Sequence, residues 1–307
     1  SLGLVGGGEP GLTATEEWNF TSTLAAGAWA SGGNLNTARR LLHGDGTSTA
    51  AIVFGGNPAR DETETYDGSS WTEVADLTEG RHAVIGAGTQ TAALCITGNP
   101  APVSANVESW NGTSWTETTN VNQARDSGQG GGVQTAAIIF GGYSGGFLDE
   151  TEVWNGSTWT EVADLNTARN YWGGNGTTTS ALGYGGESPA KTGATESWDG
   201  SSWTEVSDLN SPRHSNAGCG ADNTAALCLG GDEATPVTAK VEDWDGSSWT
   251  EVADLSTARY HLHGVGTNLS AIAVGGYAPS APGATAVTEE WEVSQNVKVI
   301  TDYTNGR

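Results

Sequence analysis

The sequence predicts an all-β fold of four-stranded blades arranged radially, a seven-bladed β-propeller, and three observations carry that prediction. An aromatic residue recurs at Trp18, Tyr66, Trp110, Trp154, Trp198, Trp244 and Trp291, with spacings of 48, 44, 44, 44, 46 and 47 residues. A nearly constant period of this length marks a repeated supersecondary unit. Each unit divides into short apolar or alternating runs bounded by Gly, Asn or Asp, the pattern of strands and turns. No segment carries a helical period. The seven copies fill the 307 residues, so residues 1–307 are expected to form a single domain in which neighbouring blades bury each other's faces.

Within a copy the elements follow in a fixed order. An Arg-led stretch ending in Gly-x-Gly, such as Arg81-His82-Ala83-Val84-Ile85-Gly86-Ala87-Gly88, supplies the first strand. An apolar run closed by Gly-Gly, such as Ala136-Ala137-Ile138-Ile139-Phe140-Gly141-Gly142, supplies the second. A variable loop leads to an alternating third strand that ends in the recurrent aromatic. Asp67-Gly68, Asn111-Gly112, Asn155-Gly156, Asp199-Gly200 and Asp245-Gly246 then signal tight type I′ turns. The fourth strand begins at Trp71, Trp115, Trp159, Trp203 or Trp249, while the first copy has Trp29 displaced and the last copy lacks this Trp. The first copy opens inside its second strand, at Leu2-Gly3-Leu4-Val5-Gly6-Gly7, so closure of the ring is expected from residues 296–304.

The apolar run into Gly-Gly, the third-strand aromatic, the fourth-strand Trp and the Arg ahead of each first strand together resemble the kelch repeat. Thr97-Gly98 departs from Gly-Gly, and the last copy ends in Ser294-Gln295-Asn296-Val297 without its Trp. Asn166-Thr167-Ala168-Arg169, Gly88-Thr89-Gln90-Thr91-Ala92-Ala93 and the Gly-Ser-Ser-Trp turn are also similar to kelch-like repeat arrays in structural proteins of marine bacteriophages. That resemblance implies a virion appendage, tail-fibre element or capsid decoration.

Composition narrows the function classes. The 12 basic and 36 acidic side chains give a net charge of −24, which argues against nucleic acid as a partner because phosphate binding needs clustered Lys and Arg. No run of 18 apolar residues offers a transmembrane helix, and no secretory signal is visible at Ser1. The absence of Met leaves open a removed initiator or a start inside a longer product. Cys95, Cys219 and Cys228 lie in or beside apolar runs and read as small buried hydrophobes.

Six Arg share one repeat position: Arg39, Arg81, Arg125, Arg169, Arg213 and Arg259. Two residues before each aromatic stands a Glu, at Glu16, Glu64, Glu108, Glu152, Glu196, Glu242 and Glu289, on the aromatic's face of the strand. One per blade regardless of the loops, these residues are expected to form structural Arg–Glu pairs that fix blade register. His261-Leu262-His263 would place two imidazoles on one strand face, half of a metal site with no third ligand, so no metal and no cofactor is expected. Some kelch propellers are copper oxidases, but their Tyr, His and Cys ligand set has no counterpart here. The Gly-x-Gly stretches lead from strand to strand and lack the helix N-terminus of a phosphate loop.

Alternation along the blade assigns the two faces. The first-to-second and third-to-fourth turns emerge together and barely vary, whereas the second-to-third loops emerge opposite and differ in length and content. Arg60, Tyr143, Phe147, Leu148, Lys191 and Tyr277 in those loops are the candidate binding residues, with Phe147-Leu148 as apolar anchors. The stretches after each Arg also vary, as Leu41-Leu42-His43 against Asp126-Ser127-Gly128 shows. The expected function is therefore non-enzymatic: a virion structural or host-attachment protein whose partners are other virion proteins, a host receptor or a glycan. The alternatives are a bacterial surface or secreted binding module and an oxidase or carbohydrate-active propeller.

Overall fold

Among the described residues, apolar second strands pair with alternating third strands to build six four-stranded antiparallel sheets around a central channel. The computed structural model describes residues 27–233, 237–280 and 283–293, with the backbone of 3–5 and 16–18. Blade 1 runs His43–Thr47, Ala50–Phe54, Thr63–Tyr66 and Trp71–Glu73, and blade 2 runs Ile85–Thr89, Ala92–Ile96, Val107–Trp110 and Trp115–Thr118. Blade 3 comprises Gln129–Val133, Ala136–Tyr143, Phe147–Trp154 and Trp159–Glu161, and blade 4 comprises Gly173–Thr177, Ser180–Tyr184, Thr195–Trp198 and Trp203–Val206. Blade 5 is Ala217–Asp222, Ala225–Leu229, Val241–Trp244 and Trp249–Glu251.

Blade 6 corrects the seven-bladed expectation. Its first three strands are His263–Gly266, Ser270–Val274 and Thr288–Val293, and its fourth is Gly27–Ser31 from the other end of the chain. Trp29 stands opposite Trp291, their ring centroids 5.3 Å apart, as Trp115 stands to Trp110 in blade 2. The displaced Trp of the first copy is thus the missing Trp of the last. The remaining strands of the first copy, Gly3–Val5 and Glu16–Trp18, form a separate two-stranded sheet instead of a seventh blade. Residues 296–304, expected to close the ring, lie outside the described residues.

The core is divided among the blade junctions. Six apolar clusters correspond to six junctions: one joins Ile85, Leu94 and Ile96 of blade 2 to Ile139, Trp154 and Trp159 of blade 3, and another joins Val265 and Val274 of blade 6 to Val53, Tyr66 and Trp71 of blade 1. Each fourth-strand Trp also donates its indole N–H to the preceding blade. Trp115 Nε1 meets Thr63 Oγ1 at 3.0 Å, Trp203 Nε1 meets Thr151 Oγ1 at 3.0 Å and Trp71 Nε1 meets Thr288 Oγ1 at 3.1 Å. Trp29 Nε1 reaches the Ala253 carbonyl at 3.0 Å, so the borrowed strand makes the same kind of bond.

Two features of the repeat follow from how closely blades approach. The Gly-x-Gly first strands meet near the axis, where a Cβ on Gly218 would lie 2.7 Å from Gly174 N. The Gly-Gly pairs adopt positive φ and hand a backbone N–H to the next blade's Arg carbonyl: Gly56 to Arg81 at 2.9 Å, Gly142 to Arg169 at 2.9 Å, and Gly276 back to Arg39 at 2.9 Å. Thr97 occupies such a position at φ 59° with its hydroxyl buried and without a partner. A β-branched residue there is strained. Thr97→Gly is accordingly expected to stabilise the fold by about 1 kcal/mol, seen as a higher urea midpoint at unchanged m; a lower midpoint would show that the lost side-chain packing outweighs the strain.

The third-to-fourth turns also depart from expectation. Among the five Asx-Gly pairs only the Gly has positive φ, and four residues separate the paired aromatics, so the turns are not type I′. The Asx side chain organises them instead. Asp67 Oδ1 accepts the N–H groups of Ser69 at 2.9 Å and Ser70 at 2.8 Å, and these donors, Ser70 first, hold the carboxyl down at about 2.

Candidate functional site at the channel mouth

The six repeat-position Arg are consumed by the frame. Each pairs with the third-strand Glu of its own blade: Arg39–Glu64 at 2.6 Å, Arg81–Glu108, Arg125–Glu152 and Arg169–Glu196 at 2.7 Å, Arg213–Glu242 at 3.1 Å and Arg259–Glu289 at 3.0 Å. All six guanidinium groups are fully buried. The second carboxylate oxygen accepts the backbone N–H of Asn36, Thr78, Asn122, Asn166, Asn210 or Ser256 at the entry to the blade, at distances of 2.6–2.8 Å. Every Arg–Glu pair thus ties the inter-blade connection to the third strand, and none faces the channel. Glu16 lies outside the residues whose side chains are described.

Two residues beyond each Arg the chain turns through positive φ, at Leu41, Ala83, Ser127, Tyr171, Ser215 and His261. Their backbones form a closed ring around the axis. The N–H of Ala83 donates to the Leu41 carbonyl at 2.8 Å, Ser127 to Ala83 at 3.0 Å, Tyr171 to Ser127 at 3.1 Å, Ser215 to Tyr171, His261 to Ser215 at 2.9 Å, and Leu41 to His261 at 3.0 Å. Six donors and six acceptors, one of each per blade, close on themselves. The residues between these and the Arg, namely Arg40, His82, Asp126, Asn170, His214 and Tyr260, form an outer ring, each bridged to its own second-to-third loop.

Side chains on these two rings differ from blade to blade and meet at one mouth of the channel. Ser215 Oγ lies 2.7 Å from His214 Nδ1 and 2.9 Å from His261 Nε2, so the one hydroxyl donates to one imidazole and accepts from the other. His214 Nε2 lies 3.6 Å from Asp232 Oδ2, and Lys191 Nζ lies 3.0 Å from Asp232 Oδ1. Ser127 Oγ donates to Asp126 Oδ1 at 2.8 Å, and Asn99 Nδ2 donates to Asp126 Oδ2 at 3.1 Å. Burial keeps the imidazoles uncharged: it lowers His82 and His214, and with Arg40 beside it brings His261 down to about 3.

The sequence-predicted loop residues divide in two. Tyr277 and Lys191 reach the mouth, Tyr277 against Tyr260 with ring centroids 5.2 Å apart and with the Arg40 guanidinium 5.2 Å from its own centroid. Arg60 pairs with Glu62 at 2.6 Å on blade 1. Tyr143, Phe147 and Leu148 sit on blade 3, where Tyr143 is exposed and meets Phe147 edge-on at 6.1 Å; Phe147 and Leu148 are half-buried and begin a strand, so they do not project as a loop tip. Tyr171, His214 and Tyr260 were not singled out, although their signal is visible as variation immediately after an unvarying Arg.

His261 and His263 do not share a strand face. His261 precedes the strand in the left-handed region and joins the mouth, whereas His263 begins the strand and meets His43 inside the channel, ring centroids 4.0 Å apart and planes tilted by 45°. No group of three or more metal-ligating side chains occurs among the described residues. Burial and the neighbouring His43 push the His263 imidazole well below its ordinary value. Between that value and the unfolded one, near 6.5, the unfolded chain binds a proton that the folded chain refuses, so stability present above pH 6.5 is lost as pH falls. His263→Asn is expected to flatten the fall in unfolding free energy, read from urea denaturation, between pH 7 and pH 5 by about 1 kcal/mol per pH unit. An unchanged slope would place the titrating group elsewhere.

The channel behind the mouth encloses about 340 Å³, lined mainly by glycine backbone with His43, Asp45, Asn175 and His263. Beneath the inner ring a pocket of about 50 Å³ is bounded by Tyr171, Trp172, Ser215 and His261. The three cysteines are free and buried, with Cys219 on the channel wall. The described residues form an all-β propeller of six blades, and the chain matches no protein-family model and no curated protein.

Proposed function

We propose that this propeller is a non-catalytic binding module, a kelch-type virion structural or host-attachment protein that engages another virion protein, a host receptor or a glycan through its Arg-side face. One observation carries the reading. Six blades share nearly the same frame of Arg–Glu pairs, Gly-Gly turns and Trp bonds, while the two residues after each Arg and the adjoining loops differ in every blade. Rigid scaffolds present function on such variable positions. The Ser215–imidazole contacts support binding over acyl transfer, because the nearby inner-ring amides each donate to the preceding blade's carbonyl and are not free for an oxyanion. An acidic surface suits a particle in salt water, where screening shortens electrostatic repulsion.

A mass-spectrometric inventory of the purified source particle tests the assignment. Co-purification with capsid and tail proteins at fixed stoichiometry is the expected result. Recovery only from a cell-envelope or secreted fraction would replace the virion role with that of a bacterial surface module.

A further inference from the structure

We propose that the Arg-side mouth of the channel is a binding site for a neutral pyranose, built on a continuous arc of five rings: Tyr277, Tyr260, His261, Tyr171 and His214. The proposal rests on the binding-module reading and names the ligand class for one part of that face. Successive centroids along the arc stand 5.2, 4.7, 5.2 and 6.5 Å apart. The arc spans blades 4 to 6 only. Across the axis the inner ring offers Leu41, Ala83 and Ser127, so the mouth is one-sided in a molecule that is otherwise close to sixfold.

Three features select a sugar. A pyranose has C–H faces that pack on aromatic rings and an equator of hydroxyls that need donors and acceptors, and the arc is bordered by both. Two polar atoms on the arc's side of the rings have no partner among the described residues: His261 Nδ1 and Asn170 Oδ1, the latter on a residue only 5 % exposed. Buried polar atoms are normally paired, so both are open to an external partner. The charges there are largely satisfied internally: Lys191 holds Asp232 and the Glu233 carbonyl, and Lys240 Nζ lies 3.4 Å from Glu233. Arg40, packed on the Tyr277 ring, and Asp126 on the far side are ring charges without an ion-pair partner among the described residues, one of each sign, so neither sign prevails. The mouth carries no net charge that would select an ion, and a neutral polyol needs none.

The test is saturation-transfer NMR on the full chain with methyl pyranosides of glucose, galactose, mannose and fucose, and the methyl glycoside of sialic acid as the acidic comparator. Irradiating the aromatic protons of the wild-type protein is expected to saturate the C–H face of at least one neutral glycoside and not the acidic one. Tyr260→Ala and Tyr277→Ala are expected to weaken that binding at least tenfold at near-native melting temperature, with Leu269→Ala on the exposed opposite turns unchanged. Preference for the acidic glycoside, transfer to none of the panel, or equal weakening by Leu269→Ala would overturn the site. If the protein still attaches to its source particle or cells while binding no glycoside, the sugar site falls and the binding-module reading stands; if it attaches to neither, both fall. The wild-type experiment decides even where a variant fails to fold.

Discussion

Deleting residues 27–31 is expected to lower the unfolding free energy by at least about 3 kcal/mol, the scale of losing a large aromatic contact, and to broaden or split the unfolding transition. The strand Gly27–Ser31 pairs with all of Glu289–Val293, and its loss would leave that edge open and uncover the Trp291 ring. It would also remove the Trp29 bond to Ala253 that ties blade 6 to blade 5. The complementary experiment locks the strand in place. Ala28 and Glu292 stand directly opposite, so oxidising the double variant Ala28→Cys, Glu292→Cys should raise the melting temperature, with a gain of up to about 4 kcal/mol for a long closed loop. Failure of that pair to cross-link would mean that another strand closes the ring.

The second large effect lies inside a blade. Arg169→Ala is expected to cost about 3–5 kcal/mol, because it strands Glu196 in a fully buried site and removes the donor to the Ala194 carbonyl at 2.6 Å. The guanidinium also lies over Trp172, 4.5 Å from its ring centroid, so packing is lost along with charge. The loss should be nearly independent of salt between 0.05 and 0.5 M, since screening reaches buried pairs weakly, as noted by the roughly 8–10 Å Debye length at physiological ionic strength. Chemical denaturation of both proteins at two salt concentrations checks it. A cost below about 1 kcal/mol, the range of exposed pairs, would contradict the buried role.

Much of this fold was legible in the sequence because the repeat writes each contact several times over. Arg and Glu at fixed offsets met as pairs in all six blades, and the alternation that assigned the faces placed the variable loops beside the Arg. Blade number was not legible. Each aromatic was counted as a blade, yet strand three of the last copy only demands an antiparallel partner of the right pattern, and Gly27–Ser31 satisfies it from the opposite end of the chain. The entropic cost of such a distant closure grows only slowly with chain length, so separation in sequence is a poor guide. Two clues pointed there: Trp29 follows Trp18 by eleven residues where other copies need five, and the last copy has no Trp of its own.

The candidate site was half legible for a related reason. Variation after each Arg marks the ring positions, but Tyr171, His214 and His261 come from three consecutive blades and meet only through the blade-to-blade bonds of the inner ring. Spacing along the chain carries no trace of that meeting. Positive φ at Ser215 and His261 was equally hidden, since neither residue type announces the left-handed region.

The most direct test of the account compares the two faces in one attachment assay with the source particle or its host cells. The double variant Tyr260→Ala, Tyr277→Ala alters the Arg-side mouth, and Val133→Ser, Leu269→Ser alters the two exposed apolar residues of the opposite turns. Loss of attachment by the first variant alone, with both proteins folded, is the expected result. Loss by the second alone would contradict binding through the variable face and move the interface to the turns that barely change from blade to blade.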